Sequence, residues 1–336
     1  MLVADLSTPA LVVDASALAR NLDTMAAALP GTRLRPHVKA HKCVTLAREQ
    51  AARGHRSFTC ATPAEMVGLA RAGLGDDLLL ANECVDDARL RAVAGSGARI
   101  TVAVDSEATV EAATRAGVRE VLVDVNVGLP RCGCRVEDTD RIAQMARDAG
   151  LQVRGVMGYE GHVVGLADRA ERAAKTEAAM SLLADAHARV GGNIVSAGGT
   201  GTFDLNTAAT EIQAGSYALM DTAYAQLGLP FEHAVRIVAT VVHANDRFAV
   251  ADCGLKALGM DHGNPTVMGA DVWFCSDEHV TFASRERVEV GDRVLVLPAH
   301  VDPTIAYHAC MYVADGSALD AEVIDTWPVD LRGWDV

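Results

Sequence analysis

The chain has 336 residues, half of them hydrophobic and 22% charged, with a net charge of −14. That length suits one large domain plus a smaller one, and the acidic balance excludes nonspecific attraction to nucleic acid or an anionic membrane. No apolar run approaches the roughly 20 residues of a spanning helix. Met1-Leu2-Val3-Ala4-Asp5 lacks a basic-then-apolar leader, and the eight Cys read as reduced thiols, so a cytoplasmic protein is expected.

Short β-branched runs then alternate with Ala-rich stretches. Ala10–Asp14 comes first, ahead of a helix from about Ser16, and stands outside the series, open to joining the C-terminal β-domain instead. Eight runs follow: Leu34–Lys39, Ser57–Thr62, Leu78–Asn82, Ile100–Asp105, Val121–Val127, Val153–Tyr159, Asn193–Gly198 and Glu211–Met220. Helices are expected between most of them, as at Glu65–Ala72 and Asp140–Ala149, with Gly54, Gly73, Gly117 and Gly150 just past helix C-termini. Alternating βα units of this length predict parallel strands, and eight of them a (β/α)8 TIM barrel over residues 1–230. From 231 to 336 the pattern changes to short alternating runs: Ile237–His243, Phe248–Ala251, Asp271–Phe274, Val288–Val290 and Val294–Pro298. No long helical segment is expected there, which predicts a mostly antiparallel β-domain.

In Arg35-Pro36-His37-Val38-Lys39-Ala40-His41-Lys42, strand alternation puts Arg35, His37, Lys39 and His41 on one face. Crowded inward cations need an anion among them, and a desolvated Lys at a barrel strand end is a Schiff-base nucleophile. A solvated edge of snorkelling basic residues fits the same pattern. Gly198-Gly199-Thr200-Gly201-Thr202 is a Gly-rich turn after a strand, able to cradle a phosphate or to be an ordinary tight turn. Gln213-Ala214-Gly215-Ser216-Tyr217 offers a second small-residue site. Asp124 and Asn126 face inward near Arg131, as part of a site or as a structural pair. Cys132-Gly133-Cys134 lacks the second Cys pair of a zinc site and reads as two thiols. In Pro298-Ala299-His300-Val301-Asp302-Pro303-Thr304, extended backbone turns His300 and Asp302 the same way. That makes either a hard divalent-metal pair for Mn²⁺, Mg²⁺ or Zn²⁺, or a structural His–Asp hydrogen bond.

Together with Thr8-Pro9-Ala10-Leu11-Val12-Val13-Asp14, Asp124–Gly133 and Asp277-Glu278-His279, these segments resemble the D-threonine aldolase and D-serine dehydratase family, fold-type III pyridoxal 5′-phosphate (PLP) enzymes related to the alanine racemase barrel. The resemblance spans most of the chain. It implies that Lys39 is the Schiff-base lysine and that His37 lies at the cofactor. Arg131 is implied on the phenolate side of the PLP ring, and Tyr159 against the cofactor. Gly199, Thr200, Gly201, Gly215 and Ser216 hold the phosphate, and His300 and Asp302 bind a divalent metal, Mn²⁺ first. Some aldolases of this type have Tyr-His-Gly-Ser followed by a further His. This chain has Tyr159-Glu160-Gly161-His162-Val163-Val164-Gly165, which leaves Glu160 and His162 as polar candidates, His162 as the acid–base group. The implied reaction is metal-assisted cleavage of a small D-β-hydroxy-α-amino acid to glycine and an aldehyde, in a homodimer. The rival is β-elimination of water by a dehydratase, in which Cys tends to replace Asp302.

Overall fold

A computed structural model describes all 336 residues. The chain forms two compact units. One comprises Met1–Thr24, Ala40–Thr45 and Ser216–Asp330, the other Met25–Lys39, Leu46–Gly215 and Leu331–Val336. The first strand, β1 (Ala10–Asp14), belongs to the former.

The second unit is a parallel barrel. Its strands β2 (Ser57–Cys60), β3 (Asp77–Leu80), β4 (Ile100–Val104), β5 (Glu120–Asp124), β6 (Gln152–Gly158), β7 (Ile194–Ala197) and β8 (Glu211–Ile212) pair in chain order, all parallel. Residues 34–37 close the ring: Leu34 bridges Ile212 and His37 bridges Thr59, both in parallel. The Arg35 and His37 N–H groups donate to the Ile212 and Ala214 carbonyls at 2.9 and 3.0 Å, and Thr59 N–H donates to Pro36 at 2.9 Å. The strand expected over Leu34–Lys39 therefore stops at His37, and Val38–Ala40 turns into a 3-10 helix.

Local sequence explains the crossover helices. Thr62 and Glu65 form a reciprocal cap around Pro63, the first residue of helix Pro63–Arg71. Gly117, at φ 80°, ends helix Glu107–Ala116 in the left-handed region that only glycine enters freely. Leu79, Ala103, Leu122 and Met157 of β3–β6 form a buried cluster.

In the first unit the strands are β1, β9 (Val235–Ala244), β10 (Ala249–Ala251), β11 (Thr266–Val267), β12 (Ala270–Cys275), β13 (Val280–Ser284), β14 (Arg293–Leu297), β15 (Cys310–Ala314) and β16 (Val323–Pro328). They pair in the order β12-β13-β10-β9-β1-β15-β16, with β14 on β9 and β11 on β14. Every pairing is antiparallel except β1 with β15. Val3, Leu6, Ala10, Val12, Val238 and Ala314 form its buried cluster.

Residues 1–24 join the sheet through β1, the alternative open to the first strand. Three expectations are corrected. The compact units part between Gly215 and Ser216, not at 230, because β8 ends at Ile212 and Ser216–Ala218 is a 3-10 turn. Val288–Val290 is not a strand but an exposed loop, with Val290 66% exposed. Residues 301–307 form a helix, Val301–Tyr307, rather than extended chain. Pro303 falls in its first turn, where the missing N–H has no intrahelical role.

Candidate active site

Parallel strands bring their C-terminal ends to one rim, where barrel chemistry resides. The rim of this barrel carries the half-buried Lys39 in its 3-10 turn, Glu83 after β3, Asp105 after β4, Asp124 at the end of β5 and Tyr159 after β6. The Gly198–Thr202 turn follows β7, and Gln213–Gly215 follows β8.

The cation row divides. Arg35, 2% exposed, lies at the opposite end and is not a rim residue. Its Nε donates to Glu211 at 2.7 Å, and its Nη2 pairs with Asp77 at 3.2 Å. Burial disfavours the guanidinium charge, but the two carboxylates outweigh it. Asp77 also binds Arg154 at 2.8 Å. Burial pushes its carboxyl up, yet Arg154 and Arg35 together hold it down at about 2. His41 is fully buried and its Nδ1 accepts the Cys43 N–H at 3.2 Å. Of the expected row, His37 and Lys39 remain at the rim.

Arg131 stands over the Tyr159 ring, its Cζ 5.5 Å from the centroid. Tyr159 also meets the Gly-rich turn: a Cβ on Gly199 would lie 3.4 Å from Tyr159 Cε2. Any side chain at Gly201 would collide with the Val164 carbonyl. Gly201 is thus required by close approach, whereas a Cβ at Gly199 would make only ordinary contact, and Thr200 between them is buried. The Gly199 N–H is already turned to Thr202 Oγ1 at 3.2 Å, so this glycine supplies nearness to Tyr159 rather than a phosphate donor.

Glu160, a polar candidate from the sequence, is fully buried behind this turn. It accepts from Thr202 Oγ1 at 2.7 Å, Gly198 N–H at 3.1 Å and Asn206 Nδ2 at 3.3 Å. It braces the turn and is not exposed for proton transfer. His162 is exposed and packs on the loop after β5, where a Cβ at Gly128 would meet its ring at 2.7 Å. Asn126 is spent on the same loop: it accepts Gly128 N–H and donates to the Leu129 carbonyl, each at 3.0 Å.

Asp124 is buried and pushed well above the carboxylate range, first by burial and then by the adjacent Glu83 carboxyl, with Arg131 opposing. Glu83 Oε1, beside Asp124, is buried without a hydrogen-bond partner. Cys132 is pushed up to about 11 by its hydrogen bond to Glu83 and by burial, and Cys134 up to about 12 by burial. Both remain thiols, as read from sequence.

The sheet unit holds His300, Asp302 and Ser216. His300 caps helix Val301–Tyr307 with extended backbone, and Asp302 sits in the first turn. The extended geometry that aligned them in the sequence reading does not occur. Ser216 Oγ donates to Asp302 Oδ1 at 3.2 Å, so the expected phosphate ligand touches the expected metal ligand. His300 Nδ1 contacts Asp261 Oδ2 at 2.7 Å, and His262 stacks on the His300 ring at 3.9 Å. Buried Asp221 accepts Val301 N–H at 2.9 Å and fixes the segment from behind. Asp221 and Asp261 escaped the sequence reading. The only local signal was the adjacent Asp261-His262-Gly263, a polar pair before a turn glycine.

These features fit the implied groups. A turn that admits no Cβ at Gly201 and is braced by a buried carboxylate fits a phosphate, and an imidazole with a carboxylate fits a hard divalent cation.

The alanine racemase N-terminal domain model matches residues 13–223, and a putative serine dehydratase domain model matches 234–314. D-threonine aldolase of Arthrobacter sp is 34% identical, over 99% of this chain and 94% of that protein. 3-Hydroxy-D-aspartate aldolase of Paracoccus denitrificans (strain Pd 1222) is 31% identical, over 98% and 93%. The crystal structure of D-threonine aldolase from Filomicrobium marinum superposes with a TM-score of 0.92 at 32% identity, covering 98% of this chain and 96% of that one. A D-threo-3-hydroxyaspartate dehydratase solved as a cysteine-to-alanine mutant in the metal-free form gives 0.88 at 26% identity, covering 99% and 100%; the dehydratase of this name in Delftia sp. (strain HT23) is 28% identical, over 98% of both chains. The chain belongs to the D-threonine aldolase family, PLP-dependent lyases of fold-type III built on the alanine racemase barrel.

Proposed function

We propose that this protein cleaves a D-β-hydroxy-α-amino acid between Cα and Cβ, giving glycine and an aldehyde. Lys39 would hold PLP covalently, with Arg131, Tyr159 and His37 about its ring and Thr200, Gly201, Gly215 and Ser216 about its phosphate. Bound PLP supplies an electron sink for the carbanion left on Cα. His300 and Asp302 would hold a divalent cation, Mn²⁺ first, with Mg²⁺ or Zn²⁺ as alternatives; such an ion acts as a Lewis acid on a hydroxyl.

The remaining work falls to the chain. Arg131, held over Tyr159, presents a fixed cation at the rim. Glu160 keeps the phosphate turn in shape. His162 is the exposed imidazole of the rim and the proposed carrier of the substrate's hydroxyl proton. A homodimer, as inferred from the family resemblance, belongs to the same reading.

Asp302 is the observation that favours cleavage over elimination. The dehydratase structure is a cysteine-to-alanine mutant in the metal-free form. This chain has no cysteine between Cys275 and Cys310, and its candidate metal segment offers a carboxylate. Product analysis on D-threonine, D-phenylserine, D-serine and D-3-hydroxyaspartate tests the proposal. Glycine plus aldehyde is the expected outcome. Faster formation of a 2-oxo acid and ammonia would establish the dehydratase instead.

A further inference from the structure

Asp261, His262 and His300 place one potential ligand atom each within 4.8 Å of one another, which looks like a three-residue metal site. The ring geometry argues otherwise. An imidazole binds an ion along a nitrogen lone pair, which lies in the ring plane, at about 2.0–2.1 Å for zinc. The His262 and His300 rings are 3.9 Å apart and 9° from parallel. Two such planes do not converge on one ion. At His300, Nδ1 is already enclosed by both Asp261 oxygens, at 2.7 and 2.9 Å.

The rest of His300 is fixed as closely. Its backbone bridges Gly259, its carbonyl accepts Thr304 Oγ1 at 2.7 Å, and Thr304 in turn accepts Gly259 N–H at 2.9 Å. The next amide, of Val301, is held by Asp221. With backbone, ring edge and ring face all constrained, Nε2 is the one ring nitrogen left to bind an ion.

We propose that Asp261 and His262 are positioning residues for the metal: Asp261 fixes the Nδ1–H tautomer of His300, and His262 fixes its ring plane, so that Nε2 presents its lone pair to the cation beside Asp302. A carboxylate on the far nitrogen also makes the bound nitrogen more basic. The inference rests on the metal reading above.

The test measures Mn²⁺ binding to the full chain from the electron paramagnetic resonance signal of free aqueous Mn²⁺, which requires no turnover. Circular dichroism checks that each variant is folded. Asp261→Ala should weaken Mn²⁺ binding about 10–100-fold. Asp261→Asn, which still accepts the Nδ1 proton, should recover most of that loss. His262→Phe keeps a stacked ring and should bind within about twofold of wild type, while His262→Ala should bind about 2–10-fold more weakly. Unchanged binding in Asp261→Ala would overturn the inference and leave the metal reading standing. An Asp261→Asn loss as large as that of Asp261→Ala would make Asp261 a ligand, and equal losses in His262→Phe and His262→Ala would do the same for His262. Absence of Mn²⁺ binding by wild type, with binding of Mg²⁺ and Zn²⁺ absent too, would remove the metal reading itself.

Discussion

Replacing Glu160 with Gln tests whether the phosphate turn is braced from behind. The wild-type side chain accepts three hydrogen bonds through both oxygens in a fully buried position. Glutamine keeps the shape but has one oxygen. Its amide nitrogen must face the Gly198 N–H, or else the Thr202 hydroxyl and the Asn206 amide. One buried donor left opposite another costs about 1–3 kcal/mol, and each retained bond loses about 1 kcal/mol on going from an ionic to a neutral acceptor. The expected destabilisation is therefore about 3 kcal/mol. Because the strained partners are the turn itself, PLP affinity should fall about tenfold, equivalent to roughly 1.4 kcal/mol. Urea unfolding of the apoprotein and spectroscopic titration with PLP measure the two effects. Thr202→Ser, which keeps the hydroxyl, serves as the control and should behave as wild type. A folded Glu160→Gln protein with unchanged stability and unchanged PLP dissociation constant would refute the reasoning.

Borohydride treatment of the yellow holoprotein followed by peptide mapping should label Lys39, and label on Lys42 or Lys256 would reject it. Chelation should stop turnover without removing that label, and added Mn²⁺ should restore activity; full activity in a metal-free preparation would eliminate the metal role. Arg35→Leu strands Glu211 at the barrel floor, while Asp77 keeps Arg154, and should destabilise the protein by about 3–5 kcal/mol, read from urea midpoints. Asp77, held at about 2 against an ordinary 3.8, stabilises the fold above pH 4 and loses that contribution as pH falls through 2. Between pH 5 and 2.5 the stability gap between wild type and Asp77→Asn should therefore narrow by about 1–2 kcal/mol. Asp124 carries the opposite sign: its raised carboxyl binds a proton that the unfolded chain releases, so stability drains as pH rises above the unfolded value. Asp124→Asn, which donates to Glu83 without needing that proton, should stabilise the protein at pH 8.

The barrel was legible because its signals are local: each run of β-branched residues and each closing glycine declares itself within about ten positions. Lys39 was legible as a strand-end lysine, although the strand gives way to a 3-10 turn two residues earlier than expected. Other features depend on long-range partners. Nothing near Arg35 announces Glu211, 176 residues away, so its charge read as part of an anion site. Glu160 read as a rim residue because the turn that buries it begins 38 positions later. Strand β16 went unseen because it lies at the sheet edge, mostly exposed, and lacks an apolar run. Helix Val301–Tyr307 was read as extended because Pro303 discourages a helix everywhere except in its first turn.

The position of β1 shapes how the protein is made. This strand, with all five residues buried, lies between β9 and β15. Its partners are synthesised more than 200 and about 300 residues later. At about 5–20 residues per second, the ribosome takes on the order of 15–60 seconds to reach β15 after β1 has emerged. Until β9 emerges Ala-Leu-Val-Val is an unpaired apolar strand, the kind of segment that seeds aggregation, and one edge of it stays open until β15 follows. The barrel, whose strands pair in chain order, can close in the meantime. A nascent chain halted before Val235 should therefore contain a folded barrel and a β1 that chaperones still bind, and slow translation should burden its folding more than fast translation does.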